Sequence, residues 1–440
     1  MSLRLRRGGA GTGVPAQKVY GPTAGPQAIR NGASPGAVTV FPGTPGTNFT
    51  QLNPGNSKAT NQAAITNDTT GKVWWPKGTY NVTGSAYTFK TNTEYRWESA
   101  AGFARSATDT AVMSGPGNVT GSFDAASVTS STFKGGKWQN FTSGLTLFGG
   151  VLLEDVEVTT VFNVGIGSLG SNNRITRCWT HSNGKYGITA STPTPGTRVQ
   201  NVILENSRIN ENNARNLDPT IDAGGTKFLF IDGMIVRSCW VETNYGSGLW
   251  WDTDCINLLC EENVVENQFA STAPELKAGM FYEACQGGTI FQHNLLLNNG
   301  STNGNFGNAN FQISSGEADQ GGNNAIIQVT LNKFDTASGA IVQCSVYNGH
   351  GPPVGSRLSH GCHIEDNEIW LRGTATSKVG GSSAAADLGG HDNTFSQNQY
   401  HVASLSTDYW HWNTAQYTPI SWATWQGFGF DTGGSGATRV

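Results

Sequence analysis

The sequence predicts an all-β fold, a right-handed parallel β-helix, from three observations. Only 13% of the 440 residues are charged, about half the usual share, and 58 are glycine. Short apolar or β-branched runs alternate with Gly and Asn from near residue 71 to near residue 400. Segments of some thirty residues repeat along this stretch. Frequent turns with few charged helix faces favour strands, and a repeat of this length favours stacked supersecondary units.

Composition excludes several other classes of protein. A net charge of −4 with 13 Trp and 20 Phe supports a packed core and argues against disorder. No apolar stretch reaches about 18 residues, so no membrane span is expected. The first residues are basic but lack the apolar region of a secretory signal. Seven Cys without a CxxC pair predict buried, reduced thiols instead of a disulfide frame or a zinc site.

The N-terminal residues 1–60 are predicted to form an extended arm. Residues 1–67 contain no Asp or Glu and six Lys or Arg, whereas the rest of the chain carries a charge of −10. Residues 8–56 are rich in Gly, Pro, Thr and Ala and show no sustained periodicity. The arm is either a flexible tail or an anchor that orders against an acidic partner or neighbouring subunits. It lacks the dense run of Lys and Arg that would favour nucleic acid.

The β-helix is predicted over residues 61–405. Residues 71–82 read as two strands around a corner at Pro76 and Gly78. A shift of 31 residues then places Gly248–Asp252 on Gly279–Glu283 and Asn263–Asn267 on Asn294–Asn298. Such units cannot bury their inner faces alone, so each stacks on the next about 4.8 Å away. The recurring Asn after a strand predicts left-handed corners and a ladder of stacked amides.

These motifs resemble those of pectate-lyase-like right-handed β-helix proteins. The opening GKVWWPKGTYNV, the Gly248–Asp252 and Gly279–Glu283 repeats and the tail ISWATWQGFGFD carry the resemblance, which covers roughly residues 60–432. It is specific for the fold and weak for activity, because this fold serves lyases, hydrolases, epimerases and phage tailspikes. An acid-free arm ahead of the β-helix resembles phage tailspikes and minor tail proteins. That resemblance implies a homotrimer.

Four carboxylates are candidates to line one groove. Asp252 and Glu283 share a place in adjacent coils, with Cα atoms expected about 5 Å apart; Asp254 ends the same turn, and Asp222 lies about one coil earlier. Repulsion favours protonation of one member of a stacked pair, as glycoside cleavage requires. Carboxyl groups about 5–5.5 Å apart would suit a retaining hydrolase and wider ones an inverting enzyme. Such acids alternatively cap backbone N–H groups, pair with a lysine such as Lys277, or ligate Ca²⁺.

Aromatic and basic residues beside the acids are candidate substrate contacts. Alternation places Trp250 and Phe281 on the side of the acids, as a stacking platform for a sugar ring, unless they are buried in the core or a subunit interface. Lys277 and His293 complete this predicted substrate-binding set, and His293 occupies the position of Glu262 one coil earlier. Ser-His-Asp spacing, phosphate loops and HExxH are absent, so we expect no cofactor and no metal except Ca²⁺.

Residues 406–440 are predicted to form an aromatic cap that covers the open end of the β-helix, with a receptor- or glycan-binding tip as the alternative. Two functional hypotheses follow. The first is a phage tail protein of the virion, attached to other tail proteins through residues 1–60 and contacting or processing a host cell-surface polysaccharide. The second is a bacterial polysaccharide-degrading enzyme, a glycoside hydrolase or lyase.

Overall fold

The computed structural model describes residues 48–82, 87–99, 107–108, 110–115, 124–192, 194, 196–269, 278–300, 309–314, 326–336, 342–348, 359–371, 378–383, 392–412 and 419–438. Residues 1–47 of the predicted arm and Lys277 lie outside the described residues.

Three long parallel sheets wind around one axis, as the sequence predicts, with 13, 13 and 11 strands in the described residues. The first sheet contains strands Thr50–Gln51, Lys72–Trp75, Glu94–Trp97, Thr132–Lys134, Leu152–Glu154, Arg174–Thr176, Ile203–Glu205, Ile235–Arg237, Leu259–Glu261, Thr289–Gln292, Ile327–Thr330, Cys362–Glu365 and Thr394–Ser396. The second contains Gly78–Asn81, Ala111–Ser114, Lys137–Gln139, Glu157–Thr159, Trp179–His181, Arg208–Asn210, Trp240–Glu242, Val264–Glu266, Leu295–Leu297, Lys333–Asp335, Glu368–Leu371, Gln399–Val402 and Ser435–Thr438.

The third sheet contains Asp124–Thr129, Ser143–Gly149, Val164–Ser168, Tyr186–Ala190, Gly224–Leu229, Leu249–Asp252, Met280–Glu283, Ala309–Ser314, Val342–Asn348, Lys378–Ser383 and Trp410–His411. A small fourth sheet pairs Val199–Gln200 with Ile231–Asp232. The predicted shift of 31 residues is the observed register, since Leu249 pairs with Met280 and Val264 with Leu295.

The turn from the first to the second sheet explains how each coil closes. Its first residue has a left-handed φ, for example 57° at Glu262 and 55° at His293. The next residue points inward, and in five consecutive coils it is Asn: the side-chain amide of Asn263 donates to the Oδ1 of Asn294 at 2.9 Å. The ladder continues through Asn332, Asn367 and Asn398 to Asp431. The predicted ladder is therefore confirmed, but the stacked Asn follows the left-handed residue and does not itself occupy that conformation.

The inward side chains of all three sheets form one continuous core. Trp75, Trp97 and Phe133 stack along its N-terminal part, with ring centroids 5.6 and 5.3 Å apart. The seven Cys are free and buried, as predicted. Parallel stacking buries a core that no single coil could form.

The two ends of the described rod carry short helices. Helix α1, Lys58–Asn67, begins at Ser57, whose Oγ accepts the backbone N–H of Thr60. The first sheet already begins at Thr50–Gln51, inside the segment assigned to the arm. Helix α2 is Trp422–Gly427, and Trp425 packs on Phe395 near the last coils. Within the described residues, neither helix is long and apolar enough to cross a membrane.

Candidate functional site

Asp252 and Glu283 occupy one position in adjacent coils of the third sheet. Strand Leu249–Asp252 pairs with Met280–Glu283 residue by residue, and both acids end their strands. Parallel pairing in this register places their Cα atoms about 4.8 Å apart. The side chain of Asp252 is 17% exposed, whereas Glu283 is 4% exposed. The predicted stacking of this pair is therefore observed.

The aromatic residues beside the acids point outward, but they are covered. Trp251 and Tyr282 lie in the central core, whereas Trp250 and Phe281 form a separate cluster with Ala278 on the opposite face of the sheet. Trp250 is only 2% exposed and Phe281 0%, so neither offers a ring face to a sugar. The prediction of a stacking platform at these two residues is wrong, because alternation fixes the side of a sheet and not what covers it.

Trp250 instead helps to build the acid site. Its Nε1 donates a hydrogen bond to Oε2 of Glu283 at 2.8 Å. Its ring packs against Phe281 with centroids 5.6 Å apart and planes inclined by 26°. A buried tryptophan N–H needs a hydrogen-bond partner, so the indole of Trp250 orients the carboxyl group of Glu283 in the next coil.

Lys227 completes this cluster, and the sequence reasoning missed it. Its Nζ lies 3.0 Å from Oδ2 of Asp252 and 3.7 Å from the ring centroid of Trp250, and it donates to the carbonyl oxygen of Ile221 at 2.7 Å. Lys227 is 7% exposed. Strand register could have revealed it. Because Phe228 pairs with Trp251, Lys227 lies directly beside Trp250 in the adjacent coil, on the same outer face of the sheet. That shorter coil breaks the interval of 31 residues.

Asp222 joins the cluster through Tyr186. The Tyr186 hydroxyl donates to Oδ1 of Asp222 at 2.8 Å, and Lys185 forms an ion pair with Oδ2. Burial raises the pKa of Tyr186, and the charges of Asp222 and Asp252 raise it further. Asp252 therefore acts electrostatically on this phenol. The Asp222 side chain is 52% exposed, so it marks the open side of the cluster.

Asp254 and His293 are not brought to the pair. Asp254 lies in the turn that leaves the third sheet, where the Arg198 guanidinium donates to both of its carboxylate oxygens, at 2.9 and 3.0 Å, and Gln286 also binds it. His293 lies at the corner between the first and second sheets, with a φ of 55°. Asp254 has a structural ion pair, and His293 belongs to another face of the rod.

The described residues contain no group of three or more His, Cys, Asp or Glu side chains that could hold a metal ion. Lys185, Tyr186, Asp222, Lys227, Trp250, Asp252 and Glu283 together are called the acid cluster below.

Comparisons with known proteins agree with this architecture. A family model described as the right handed beta helix region matches residues 149–331. The A-module of a mannuronan C-5 epimerase from Azotobacter vinelandii is similar at 13% identity and a TM-score of 0.50, over 86% of this chain and 94% of that one. The catalytic domain of a GH87 α-1,3-glucanase in complex with nigerose is similar at 10% identity and a TM-score of 0.50, over 78% and 66%.

The Dettilon tailspike protein superposes less closely, with 11% identity and a TM-score of 0.44 over 83% of this chain and 75% of that one. No curated protein matches the sequence significantly. At these identities the likeness establishes the parallel β-helix fold alone.

Proposed function

We propose that this protein is a phage tail β-helix protein that binds a host-surface glycan on the outer face of its third sheet and cleaves it at Asp252 and Glu283. The observation that carries the proposal is the acid cluster. Two carboxylates stand in register, with a buried ammonium on one and an indole donor on the other. Lys and Glu side chains are rarely this buried, and here each has a specific polar partner.

The two carboxyl groups have different surroundings, as acid–base cleavage requires. Asp252 carries the ion pair with Lys227 and retains contact with solvent. It therefore acts either as the nucleophile that attacks the anomeric carbon or as the base that activates a water molecule. Glu283 is nearly buried and is oriented by the Trp250 N–H, and in this proposal it acts as the proton donor to the leaving oxygen. Asp222, whose side chain is 52% exposed, contacts the sugar at the cleavage point, and the buried Tyr186 holds Asp222 in place by a hydrogen bond.

A direct test replaces both acids, as Asp252→Asn and Glu283→Gln, and measures depolymerisation of purified bacterial capsular and lipopolysaccharide O-chain polysaccharides. Turnover should disappear while the melting temperature stays within a few degrees. The matched control is Asp335→Asn with Glu261→Gln, because these acids lie on strands of the second and first sheets. The proposal fails if wild type degrades none of these polysaccharides, or if the variant at the acid cluster remains as active as the control.

The tail assignment is supported by the acid-free, basic residues that precede the β-helix. Its test is a truncation that begins at residue 48, because Thr50–Gln51 pairs with Lys72–Trp75 and a cut at residue 60 would remove a strand. The truncated chain should fold and fail to join phage particles. Normal incorporation into particles would contradict the attachment role, and it would leave the cleavage proposal to its own test.

A further inference from the structure

The outward column that contains Asp252 continues through four more coils of the third sheet. Leu229 pairs with Asp252, and the strands below it pair directly with one another. Phe228, Ala190, Ser168 and Leu147 pair in turn, and the residues that follow them extend this column, which in descending order contains Leu229, Ser191, Leu169 and Phe148. At about 4.8 Å per strand, Phe148 lies roughly 19 Å from Asp252.

A second outward column runs beside the first and has a different character. In the same descending order it contains Lys227, Thr189, Gly167 and Thr146. Below Lys227 these residues are small and half-buried. A Cβ added at Gly167 would meet only the Oγ1 of Thr189, at 3.7 Å, so this part of the face is open. Three of the four side chains in the first column are apolar, whereas the second column carries the hydroxyl groups of Thr189 and Thr146.

Two exposed apolar side chains, Phe148 and Ile221, lie beside this strip. Phe148 is 43% exposed although it lies within a strand, and Ile221 is 68% exposed. Ile221 is nevertheless anchored, because its carbonyl accepts from Lys227 and the adjacent Asp222 accepts from Tyr186. Ile221 thus lies beside the acid cluster, and Phe148 lies four coils away at the other end of the strip.

We propose that this strip is a binding track for an extended oligosaccharide, whose distal sugar stacks on Phe148 while its cleaved bond lies at the acid cluster. The inference rests on the proposed function and deepens it. Ile221 flanks the sugar nearest to Asp252. Because Trp250 and Phe281 are buried, Phe148 provides the exposed aromatic ring in the Asp252 column.

A glycan chain fits the strip better than a protein partner does. The strip is two side chains wide, whereas a stable protein interface buries about 800 Å² on each partner. A sugar ring has apolar C–H faces, which match Leu229, Leu169 and Phe148, and a rim of hydroxyl groups, which match the two threonines of the second column. The strip is also continuous with the acid cluster, so one chain reaches both.

The experiment measures binding of size-fractionated fragments of whichever purified capsular or O-chain polysaccharide the wild type binds. Binding is measured in the Asp252→Asn, Glu283→Gln background, so that fragments remain intact. Phe148→Ala should weaken the binding of long fragments about five- to tenfold, because roughly half of the ring remains to be buried by a ligand. The binding of short fragments should be unaffected. Gly167→Tyr, which fills the open part of the strip, should also weaken only long fragments. Phe428→Ala is the matched control, because this residue is 50% exposed beyond helix α2.

Length-dependent loss in Phe148→Ala and Gly167→Tyr, with Phe428→Ala unchanged, supports the track. Equal affinity of Phe148→Ala and wild type for long fragments overturns it, as does an equal loss for fragments of every length. Binding that depends on length without any turnover by wild type removes the cleavage proposal and keeps the track. Failure of wild type to bind any polysaccharide removes both.

Discussion

Replacement of Lys227 with methionine would test whether one buried ammonium organises the acid cluster. Lys227 contacts three groups at once: the Asp252 carboxylate at 3.0 Å, the Ile221 carbonyl at 2.7 Å and the Trp250 ring at 3.7 Å. Methionine retains most of the aliphatic stem and removes the charge and the donors. The variant therefore isolates the polar contacts from the packing.

The expected loss of stability follows from these contacts. A hydrogen bond to a charged group contributes about 1.5–3 kcal/mol, and a partly desolvated cation–π contact about 1 kcal/mol. The Asp252 side chain keeps 17% of its exposure, so water compensates part of the lost pairing. We expect a loss of about 3 kcal/mol in the free energy of unfolding, at the lower end of the range for breaking a buried ion pair.

The assay is a double-mutant cycle of Lys227→Met with Asp252→Asn, measured by denaturant unfolding, and glycan turnover is measured in Lys227→Met alone. The coupling energy should be about 1–2 kcal/mol. The matched control is Lys137→Met, because the Nζ of Lys137 lies 2.8 Å from Glu157 on the second sheet. The control should lose stability and keep glycan turnover. A coupling energy near zero, or an equal loss of turnover in the control, would refute the organising role of Lys227.

Two further predictions concern the scaffold. Asn294→Ala should cost about 3–5 kcal/mol in the free energy of unfolding, because this buried side chain makes four hydrogen bonds of 2.9–3.0 Å. In the same denaturant titration, replacement of the exposed Asn298 with glycine should cost less than about 1 kcal/mol. Similar losses in the two variants would contradict the stabilising role of the ladder. Burial raises the pKa of Glu157, but hydrogen bonds and charges from His181 and Lys137 outweigh it and lower this pKa overall. The stabilisation by ionised Glu157 is therefore present above the unfolded pKa of 4.5 and is lost as the pH falls below that value. Glu157→Gln should make the melting temperature fall less steeply as the pH is lowered. An unchanged slope would argue against this contribution of Glu157.

The fold could be predicted because stacking repeats the same local chemistry in each coil. The match of Gly248–Asp252 to Gly279–Glu283 set the register, and that register placed Asp252 and Glu283 together. The same reasoning failed for Asp254, because a turn residue has no alternation to direct its side chain. Its orientation depends on Arg198, which lies in another turn of the rod and leaves no periodic signal.

Burial on the outer face could not be derived from alternation either. Trp250 and Phe148 both point away from the core, yet Trp250 is 2% exposed and Phe148 is 43% exposed. The difference depends on what packs over each strand, and Ala278 and Phe281 cover Trp250. A sequence period gives the direction of a side chain, whereas its exposure depends on segments outside the repeat.

If the proposed site is correct, the different environments of Trp250 and Phe148 should separate glycan affinity from turnover. Trp250, Lys227 and Asp252 contact one another in the absence of ligand, so binding requires little reorganisation of the groups that would act on a bond. Phe148 retains a water-exposed ring, whose burial contributes free energy only when a ligand reaches it. A change at Phe148 should therefore alter the dissociation constant, and a change at Lys227 should alter kcat. If changes at Phe148 and at Lys227 both altered only the dissociation constant, or both altered only kcat, this separation of binding from turnover would be wrong.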